Sequence, residues 1–400
     1  VDVGNGDDIL VVSGNSTALR GLAGNDALSG ADANDWLRGD SGDDVLSGGG
    51  GNDELAGGAG SDLLLGGAGD DVYLDVNEAS DSVIEADGEG VDEIRTTIAV
   101  YALPDNVERL TGESNGLQEL TGNALNNVIY GGEGDDILKG GLGNDALSGG
   151  PGSDIFLFSR GDGDDYVIGD SPWDPGSDIL QFGSDILPGD VNVSQASYPY
   201  DIVITIGQGG GSVTLGSWAF SFTTVSQVIF GDGTIWTREE FLAKSMIGTD
   251  SGEWRIGDAG ANVLMGLGGD DALRGHAGND VLDGGDGNDI LEGESGADRL
   301  TGGAGADVFS FFDDATGIGS EADRVTDFAP GEDRISIYSW AYGPFSFVGS
   351  AAFSGTAGEV RYWFDGTDTW IQVDHFGTGS VSAEIVLSGN ILLTSSDFLF

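Results

Sequence analysis

The sequence predicts an all-β fold of flattened parallel β-solenoids, with an intervening β module and a C-terminal β cap. Three observations lead to this prediction: an Asp that recurs every nine residues, 73 glycines in 400 residues, and a large excess of acid. Glycine is more than twice as frequent as in an average globular protein. A short period rich in turn-forming residues is typical of a chain that repeats one small structural unit.

The charge indicates what the chain does not bind. It carries 69 Asp and Glu against 14 Lys and Arg, a formal net charge of −55. Asp supplies 51 of these acids, and because Asp is a poor helix former, the bias favours turns or ligands over charged helix faces. Such a charge argues against a nucleic-acid or anionic-membrane partner. Self-repulsion opposes compaction, so we expect a multivalent cation to neutralise it.

The nine-residue period fixes the roles of its positions. Position four is nearly always Gly, which adopts positive φ without steric strain. Position eight is apolar in every unit that has the Asp, which predicts a three-residue strand with one inward side chain. The Asp occupies position six, and these acids are the predicted metal ligands: Asp8, Asp26, Asp35, Asp44, Asp53, Asp62, Asp71, Asp136, Asp145, Asp154, Asp271, Asp280, Asp289, Asp298 and Asp307.

Two such units are predicted to form one coil, so that turns of alternate units stack along the same edge. Stacking brings the position-six carboxylates together, where they would repel one another without a cation. Ca²⁺ fits this donor set, because it takes six to eight oxygens from carboxylates and backbone carbonyls. Zinc prefers His and Cys ligands, and the chain has two His and no Cys. Magnesium requires stricter octahedral geometry.

At this point the units resemble a known family. The clearest ones follow GGxGxDxUx: GGAGSDLLL (57–65), GGEGDDILK (131–139), GGLGNDALS (140–148) and GGDGNDILE (284–292). This pattern resembles the nonapeptide of the repeats-in-toxin (RTX) family, which implies parallel β-rolls and multiple structural Ca²⁺ ions. We expect on the order of a dozen ions, since alternate turns would share them. A glycine-rich solenoid that stacks without metal is the alternative, but it leaves the row of Asp unexplained.

The remaining segments are less regular, and the resemblance extends to them. FLFSRGDGDDYVIGD and VIFGDGTIWTREEFL resemble the haemolysin-type related domain, and GADVFSF with ADRVTDFAPGEDRISI resembles the C-terminal region of serralysin-type proteases. Asp162, Asp164 and Asp165 could hold a further Ca²⁺ or form a plain turn. The predicted segments are a first β-roll array (1–73), degenerate connector coils (74–126), a second array (127–156), the related β module (157–252), a third array (253–309) and the C-terminal cap (310–400).

Catalytic motifs are absent from the sequence. It has no HExxH, GxGxxG or P-loop, and its one GxSxG match, GESNG at 112–116, is not a nucleophile elbow, which requires a strand-to-helix turn. His276 and His375 are its only histidines. We interpret His276 as a solvent-exposed turn residue, and for His375 the sequence identifies no partner. Asp174–Pro175 resembles the bond cut in some self-processing RTX proteins, although its neighbours favour a plain loop. We therefore expect no enzyme activity in this chain.

The two ends add expectations about origin and export. Val1 begins inside a repeat without a Met, so we expect a fragment whose upstream part could carry an enzyme. Asp397 followed by Phe398, Leu399 and Phe400 resembles the C-terminal signal of type I secretion, and a terminal strand is the alternative interpretation. No stretch of 18 apolar residues occurs, so no membrane span is predicted.

The sequence thus predicts a secreted calcium-binding protein that is extracellular or located at the cell surface. It would be a surface, matrix or export-and-folding module. The alternative is the non-catalytic C-terminal part of a secreted enzyme such as a polysaccharide epimerase, a lyase or a protease. Candidate partners are calcium ions, a type I secretion exporter, a second copy of the chain and cell-surface polysaccharide.

Overall fold

The structure is a computed structural model, and it divides into two compact units. The described residues are 1–169, 176–196, 201–216, 225–312, 317–339 and 344–400, so the Asp174–Pro175 bond lies outside them. One unit comprises Val1–Asn192 and Val203–Arg238, and the other comprises Val193–Ile202 and Glu239–Phe400. Short strands are the main regular secondary structure of both units, which confirms the predicted all-β solenoid class. Among the described residues, no helix has the length and apolar character that a membrane crossing requires.

The strands of the first unit are mostly three to six residues long. Their bounds are β1 Asp2–Asn5, β2 Ile9–Val11, β3 Ala18–Ala23, β4 Ala27–Ser29, β5 Trp36–Ser41, β6 Val45–Gly50, β7 Glu54–Ala59, β8 Leu63–Ala68, β9 Val72–Leu74, β10 Ser82–Ile84, β11 Glu93–Thr96, β12 Val100–Ala102, β13 Arg109–Gly112, β14 Glu119–Thr121, β15 Val128–Tyr130, β16 Ile137–Lys139, β17 Ala146–Ser148, β18 Ile155–Phe158, β19 Asp164–Val167, β20 Asp178–Phe182, β21 Val191–Gln195, β22 Ile202–Ile206, β23 Ser212–Leu215, β24 Val225–Ile229 and β25 Ile235–Thr237. The strands β21 and β22 lie at the division between the units.

Consecutive strands of the first unit alternate between two sheet faces. The odd-numbered strands β1 to β19 follow one another in one long sheet, which continues into β23 and β22. On the opposite face, β2 to β10 form one sheet of even-numbered strands, and β12 to β20 begin another that ends with β24 and β25. Neighbouring coils pair in parallel, and Leu37 lies opposite Leu55. Two nine-residue units therefore make one coil.

Residues 74–126 lie between the first two arrays. On one face the long sheet runs through them without a break, because β11 pairs in parallel with β9 and with β13. On the other face the sheet of β2 to β10 ends, and the next sheet begins only at β12. One face of the roll is thus interrupted where the nine-residue period is lost.

The second unit contains the third array and the C-terminal cap. Its elements are α1 Arg238–Ser245, β26 Trp254–Ile256, β27 Val263–Gly268, β28 Ala272–Arg274, β29 Val281–Asp286, β30 Ile290–Glu292, β31 Arg299–Ala304, β32 Val308–Phe312, β33 Asp323–Val325, β34 Arg334–Tyr338, β35 Ser346–Phe347, β36 Glu359–Phe364, β37 Thr369–Asp374, β38 Ala383–Leu387 and β39 Phe398–Leu399. Short 3₁₀ segments span Pro188–Asp190 in the first unit and Gly319–Glu321 and Ser395–Asp397 in the second.

In the cap, the parallel coils give way to an antiparallel meander. The strand β38 pairs in parallel with β33, and β37 pairs antiparallel with both β36 and β38. The terminal strand β39 pairs with β34, placing Phe398 opposite Ile335. Asp397 is buried and accepts backbone N–H bonds from Gly331 and Thr394. In the folded chain the terminal residues therefore complete a sheet.

Position-eight side chains form the core of each roll. Leu19, Leu37 and Leu55 are fully buried in the long sheet. On the opposite face, Leu46 and Leu64 expose at most 1 % of their surface. Burying one such side chain stabilises a fold by about 1.5–3 kcal/mol relative to leaving it exposed. One apolar side chain per unit is enough to fill the core, because the two sheets lie close together and each coil covers the core side chains of the next.

Candidate metal centre

The predicted ligands line the two turn edges of each roll. Among them, Asp8 at the outer coil is half-buried. The others are buried, with 4 % of their surface or less exposed: Asp26, Asp35, Asp44, Asp53, Asp62, Asp71, Asp136, Asp145, Asp154, Asp271, Asp280, Asp289, Asp298 and Asp307. Such burial of ionisable side chains is rare in proteins unless the charge is paired or bound to a metal.

Each ladder of carboxylates is held by backbone hydrogen bonds between coils. The N–H of Asp26 donates to Oδ1 of Asp44 over 2.7 Å, and the N–H of Asp44 donates to Oδ1 of Asp62 over 2.9 Å. On the other edge, Asp35 donates in the same way to Asp53, and Asp53 to Asp71. Each of these steps spans 18 residues, one coil. These hydrogen bonds orient the accepting carboxylates without the help of a bound ion.

In most ladder carboxylates, the second oxygen accepts no hydrogen bond from the described residues. Buried Oδ2 atoms have no hydrogen-bond partner among the described residues at Asp26, Asp44, Asp53, Asp62, Asp71, Asp136, Asp145, Asp271, Asp280, Asp289, Asp298 and Asp307. A buried acceptor without a partner loses its hydration, at a cost of about 1–3 kcal/mol and more for a charged group. A row of such oxygens points to a ligand that the carboxylates share.

Glycine at position one shapes the space around each free oxygen. A Cβ atom on Gly48 would overlap Oδ2 of Asp53 and would lie 2.7 Å from the carbonyl oxygen of Gly66 in the next coil. The carboxylate and the carbonyl therefore converge on a space that only glycine leaves open. Carboxylate and carbonyl oxygens are the donors that Ca²⁺ prefers, so the residues present fit this ion.

Each turn that carries a predicted ligand with an unpartnered Oδ2 has two residues with positive φ. Before Asp62 these are Gly58 at +103° and Gly60 at +139°, at positions two and four. Position two sometimes holds another residue in this conformation, such as Leu22 at +83° or Asp40 at +75°. Such strain in non-glycine residues persists only where the surrounding structure enforces it.

Burial raises the pKa of the ladder carboxylates. It raises the pKa of Asp53 and Asp62 to about 6, and that of Asp71 and Asp280 to about 7, with neighbouring acids adding to the effect. The backbone N–H bonds act in the opposite direction but are outweighed. The metal-free site therefore opposes its own ionisation, and a bound cation would remove that penalty.

Comparisons with known proteins agree with this geometry. The family profile described as the RTX calcium-binding nonapeptide repeat (4 copies) matches residues 12–46, 20–55, 47–73, 121–156, 256–291 and 283–311. This chain belongs to the RTX calcium-binding repeat family. Its rolls are thus calcium-binding RTX repeats. A second profile, the haemolysin-type calcium binding protein related domain, matches residues 201–240.

Three solved structures are also similar to parts of the chain. The AlgE6R3 subunit from the Azotobacter vinelandii mannuronan C5-epimerase is 32 % identical over 38 % of this chain and 80 % of its own, with a TM-score of 0.20. The AlgE6R2 subunit of the same enzyme is 26 % identical over 38 % and 92 %, with a TM-score of 0.21. The extracellular lipase LipA from Serratia marcescens is 15 % identical over 78 % of this chain and 45 % of its own, with a TM-score of 0.26. No curated protein matches the chain.

One predicted ligand, Asp35, has a different environment from the other RTX acids. Its Oδ1 accepts the N–H of Thr17, and its Oδ2 accepts the N–H of Ala31 over 2.8 Å. Ala31 and Ala33 replace the position-two and position-four residues, and neither has positive φ. This turn therefore folds onto its own carboxylate, and its geometry does not offer a free oxygen for an ion.

Sequence reasoning by the strict period missed acids that continue the ladders. Asp71 donates its N–H to Asp92, Asp298 to Asp323 and Asp307 to Asp333, across 21, 25 and 26 residues. Asp145 donates to Asp165, so this acid, which the sequence allows as either a ligand or a turn residue, also continues a ladder. Inserted turn residues break the spacing at these points. The signal that survives is Asp-x-apolar, with Ile94, Val325 and Ile335 buried two residues after their acids.

The two histidines occupy separate settings. His276 has φ of +72°, and its Nδ1 lies 3.0 Å from Oε2 of Glu294 in the next coil. With 25 % of its side chain exposed, it is half-buried, so the expectation of a solvent-exposed residue is wrong. His375 is buried in the cap, where its Nδ1 lies 2.8 Å from Oγ of Ser382 and its ring packs edge-on against Phe345.

Proposed function

We propose that this chain is a secreted, non-catalytic module whose β-rolls fold outside the cell when Ca²⁺ ions occupy the carboxylate ladders. The row of buried, unpartnered Oδ2 atoms is the observation that carries this proposal. Because the bound ions hold consecutive coils together, their role is structural. Their number is on the order of a dozen, one for each pair of stacked turns that presents a free carboxylate oxygen.

Electrostatics supports folding that depends on calcium. A net charge of −55 and many buried carboxylates disfavour the compact state without cations. An ion that binds only the folded state stabilises it in proportion to its occupancy. Extracellular calcium modules bind at about 10⁻⁴–10⁻³ M, a range that leaves the chain unfolded where free calcium is scarce. The chain also lacks Cys, so its folding is independent of disulfide oxidation.

The same dependence suits export through a type I exporter. A chain kept unfolded inside the cell exposes Phe398 and Leu399, whereas the folded chain pairs them with β34. We propose that the exporter binds this C-terminal segment before folding and that calcium outside the cell then closes the sheet. The folded module serves as a surface or matrix component, or as the folding and export part of a larger secreted protein.

Circular dichroism of the whole chain during a calcium titration tests the proposal. We expect little β signal in calcium-free buffer and a cooperative gain of β structure at about millimolar Ca²⁺. Two controls separate specific binding from charge screening: NaCl at equal ionic strength and Mg²⁺ at equal concentration, neither of which should fold the chain. Full β signal in the presence of EGTA would refute the proposal.

A further inference from the structure

The first array ends at a cluster of buried carboxylates that differs from a regular repeat. Asp71 is the last regular ladder acid, and Glu85 and Asp92 come from the less regular coil that follows. One carboxylate oxygen from each of the three lies within 4.8 Å of the others. All three side chains are more than nine-tenths buried. They lie where the sheet of β2 to β10 ends on one face of the roll.

Hydrogen bonds orient the side chains of this cluster but do not satisfy all of its carboxylate oxygens. Asp92 Oδ1 accepts the N–H of Asp71 over 2.8 Å, and Oε1 of Glu85 accepts the hydroxyl of Tyr73. That hydroxyl in turn accepts the N–H of Gly66 over 2.7 Å. Oδ2 of Asp71 and Oε2 of Glu85 are buried and have no hydrogen-bond partner among the described residues. Two of the three carboxylates therefore each keep one oxygen that no hydrogen bond within the described ranges satisfies.

The space that a position-one glycine leaves open, here called the glycine cradle, shows what Glu85 replaces. In the regular turn, the cradle at Gly48 holds Oδ2 of Asp53 and the carbonyl oxygen of Gly66 in the next coil. At Gly66 itself a Cβ would overlap Oδ2 of Asp71, and it would lie 2.5 Å from both Oε1 of Glu85 and the Tyr73 hydroxyl. Glu85 thus takes the position that a glycine carbonyl of the following coil occupies elsewhere.

No positive side chain neutralises the cluster within the described residues. None of the three acids takes part in an ion pair there, and the charged groups that act on them, including Asp70, Glu89 and Glu108, are acidic. Other ends of the ladders are closed differently. Asp81 and Asp333 each accept a second backbone N–H, from Glu78 and Ala329, on Oδ2.

We propose that Asp71, Glu85 and Asp92 form a distinct three-carboxylate site for one Ca²⁺ ion that closes the first array. This inference rests on the proposed function, because Asp71 also belongs to the ladder. Calcium affinity rises with the number of charged ligands. A third carboxylate therefore makes this the tightest site of the first array, and it fills first. The ion ties the last regular turn to the coil that interrupts one face of the roll.

Paired variants of the full chain test the site. Glu85→Gln keeps an acceptor for Tyr73 and removes the charge, and Glu78→Gln removes an exposed charge seven residues earlier as a control. In equilibrium dialysis with Ca²⁺, we expect E85Q to bind one ion fewer and the tightest class to weaken roughly tenfold or more. E78Q should match the wild type. Equal ion counts and affinities in E85Q and the wild type would overturn the inference.

A second measurement covers the case in which E85Q fails to fold at saturating calcium. Terbium replaces calcium in oxygen sites and luminesces when a nearby aromatic ring is excited. In Tyr73→Phe the core position is expected to survive, because Phe156 and Phe309 occupy the same repeat position. The first equivalent of Tb³⁺ should lose most of its luminescence in Y73F, and unchanged luminescence would overturn the inference. A wild-type chain that binds no calcium would refute the proposed function as well, whereas normal binding with unaffected variants refutes only this site.

Discussion

The backbone N–H of Asp53 donates a 2.6 Å hydrogen bond to Oδ1 of Asp71, one coil further along the roll. The other oxygen of Asp71 is buried and unpartnered among the described residues. The two oxygens of Asp71 therefore have different roles. Oδ1 links two coils through a hydrogen bond, and Oδ2 is available to coordinate an ion. Because each ligand is oriented by the coil before it, ion binding and coil stacking should be cooperative.

Replacing Asp53 by Asn should remove a ligand and keep the coil contact. Asn retains an Oδ1 acceptor for the N–H of Asp35 and substitutes an amide for the free Oδ2. We expect fewer bound calcium ions and a calcium midpoint for folding that rises roughly severalfold, since ligand charge sets affinity. Equilibrium dialysis and a circular dichroism titration measure the two effects.

Asp35→Asn is the matched control for this prediction. Asp35 belongs to the same ladder, but both of its oxygens already accept backbone N–H groups. The calcium count should therefore stay at the wild-type value, while stability falls by about 1–3 kcal/mol because the amide leaves one of the two N–H groups without an acceptor. Equal loss of calcium in D35N and D53N would show that the free Oδ2 does not mark the ligands.

Two glycines of one turn should respond differently to a methyl group. A Cβ at Gly48 would overlap Oδ2 of Asp53, whereas at Gly50 the nearest atom, Cα of Asp32, lies 3.6 Å away. Crowding of this kind costs about 1–3 kcal/mol, so Gly48→Ala should lower calcium affinity and thermal stability. Gly50→Ala should be within about 0.5 kcal/mol of the wild type, as expected for a substitution without a clash. Calorimetry at saturating calcium compares the thermal stability of the two variants. A loss of stability in G50A as large as in G48A would show that crowding of the Asp53 carboxylate is not the cause.

The regular coils could be predicted from the sequence because their geometry is periodic. Position-eight leucines and position-six acids keep one spacing, so two units per coil place Leu37 beside Leu55 and Asp53 before Asp71. The exceptions depend on turns whose conformation the period does not encode. Ala31 in place of glycine turns the Asp35 carboxylate onto its own backbone.

Insertions explain the site residues that could not be predicted. Asp92 follows Asp71 by 21 residues instead of 18, so a fixed period passes over it. Glu85 belongs to no position of the repeat, and only the three-dimensional path of the coil after β10 brings it to Asp71. A search for Asp-x-apolar finds Asp92, but nothing local in the sequence marks Glu85.

The position-eight core should dominate the stability of the calcium-loaded rolls. Leu46 is fully buried, whereas its neighbour Val45 is 42 % exposed. Leu46→Ala removes core volume between two sheet faces and should lower the free energy of unfolding by about 2–5 kcal/mol. Val45→Ala should change it by about 0.5 kcal/mol or less. Urea unfolding at saturating calcium measures both, and similar values for the two would show that the thin core is not the main source of stability.

Acid should partly replace calcium in folding the metal-free chain. Burial raises the pKa of Asp62 to about 6 and that of Asp71 and Asp280 to about 7, whereas an Asp in an unfolded chain titrates near 3.9. Between about pH 7 and pH 4 the folded state therefore binds more protons, so its stability rises as the pH falls. Above about pH 7 these groups are ionised in both states, and the full burial penalty opposes folding.

The measurement is circular dichroism of metal-stripped protein in calcium-free buffer from about pH 7.5 to pH 4.5. We expect β signal to grow on acidification. The calcium-loaded chain should show the opposite sign, because protons compete with Ca²⁺ for the same carboxylates, and its calcium midpoint should rise as the pH falls. If acidification instead removes β structure from the metal-free chain, the buried carboxylates are not the groups that oppose its folding.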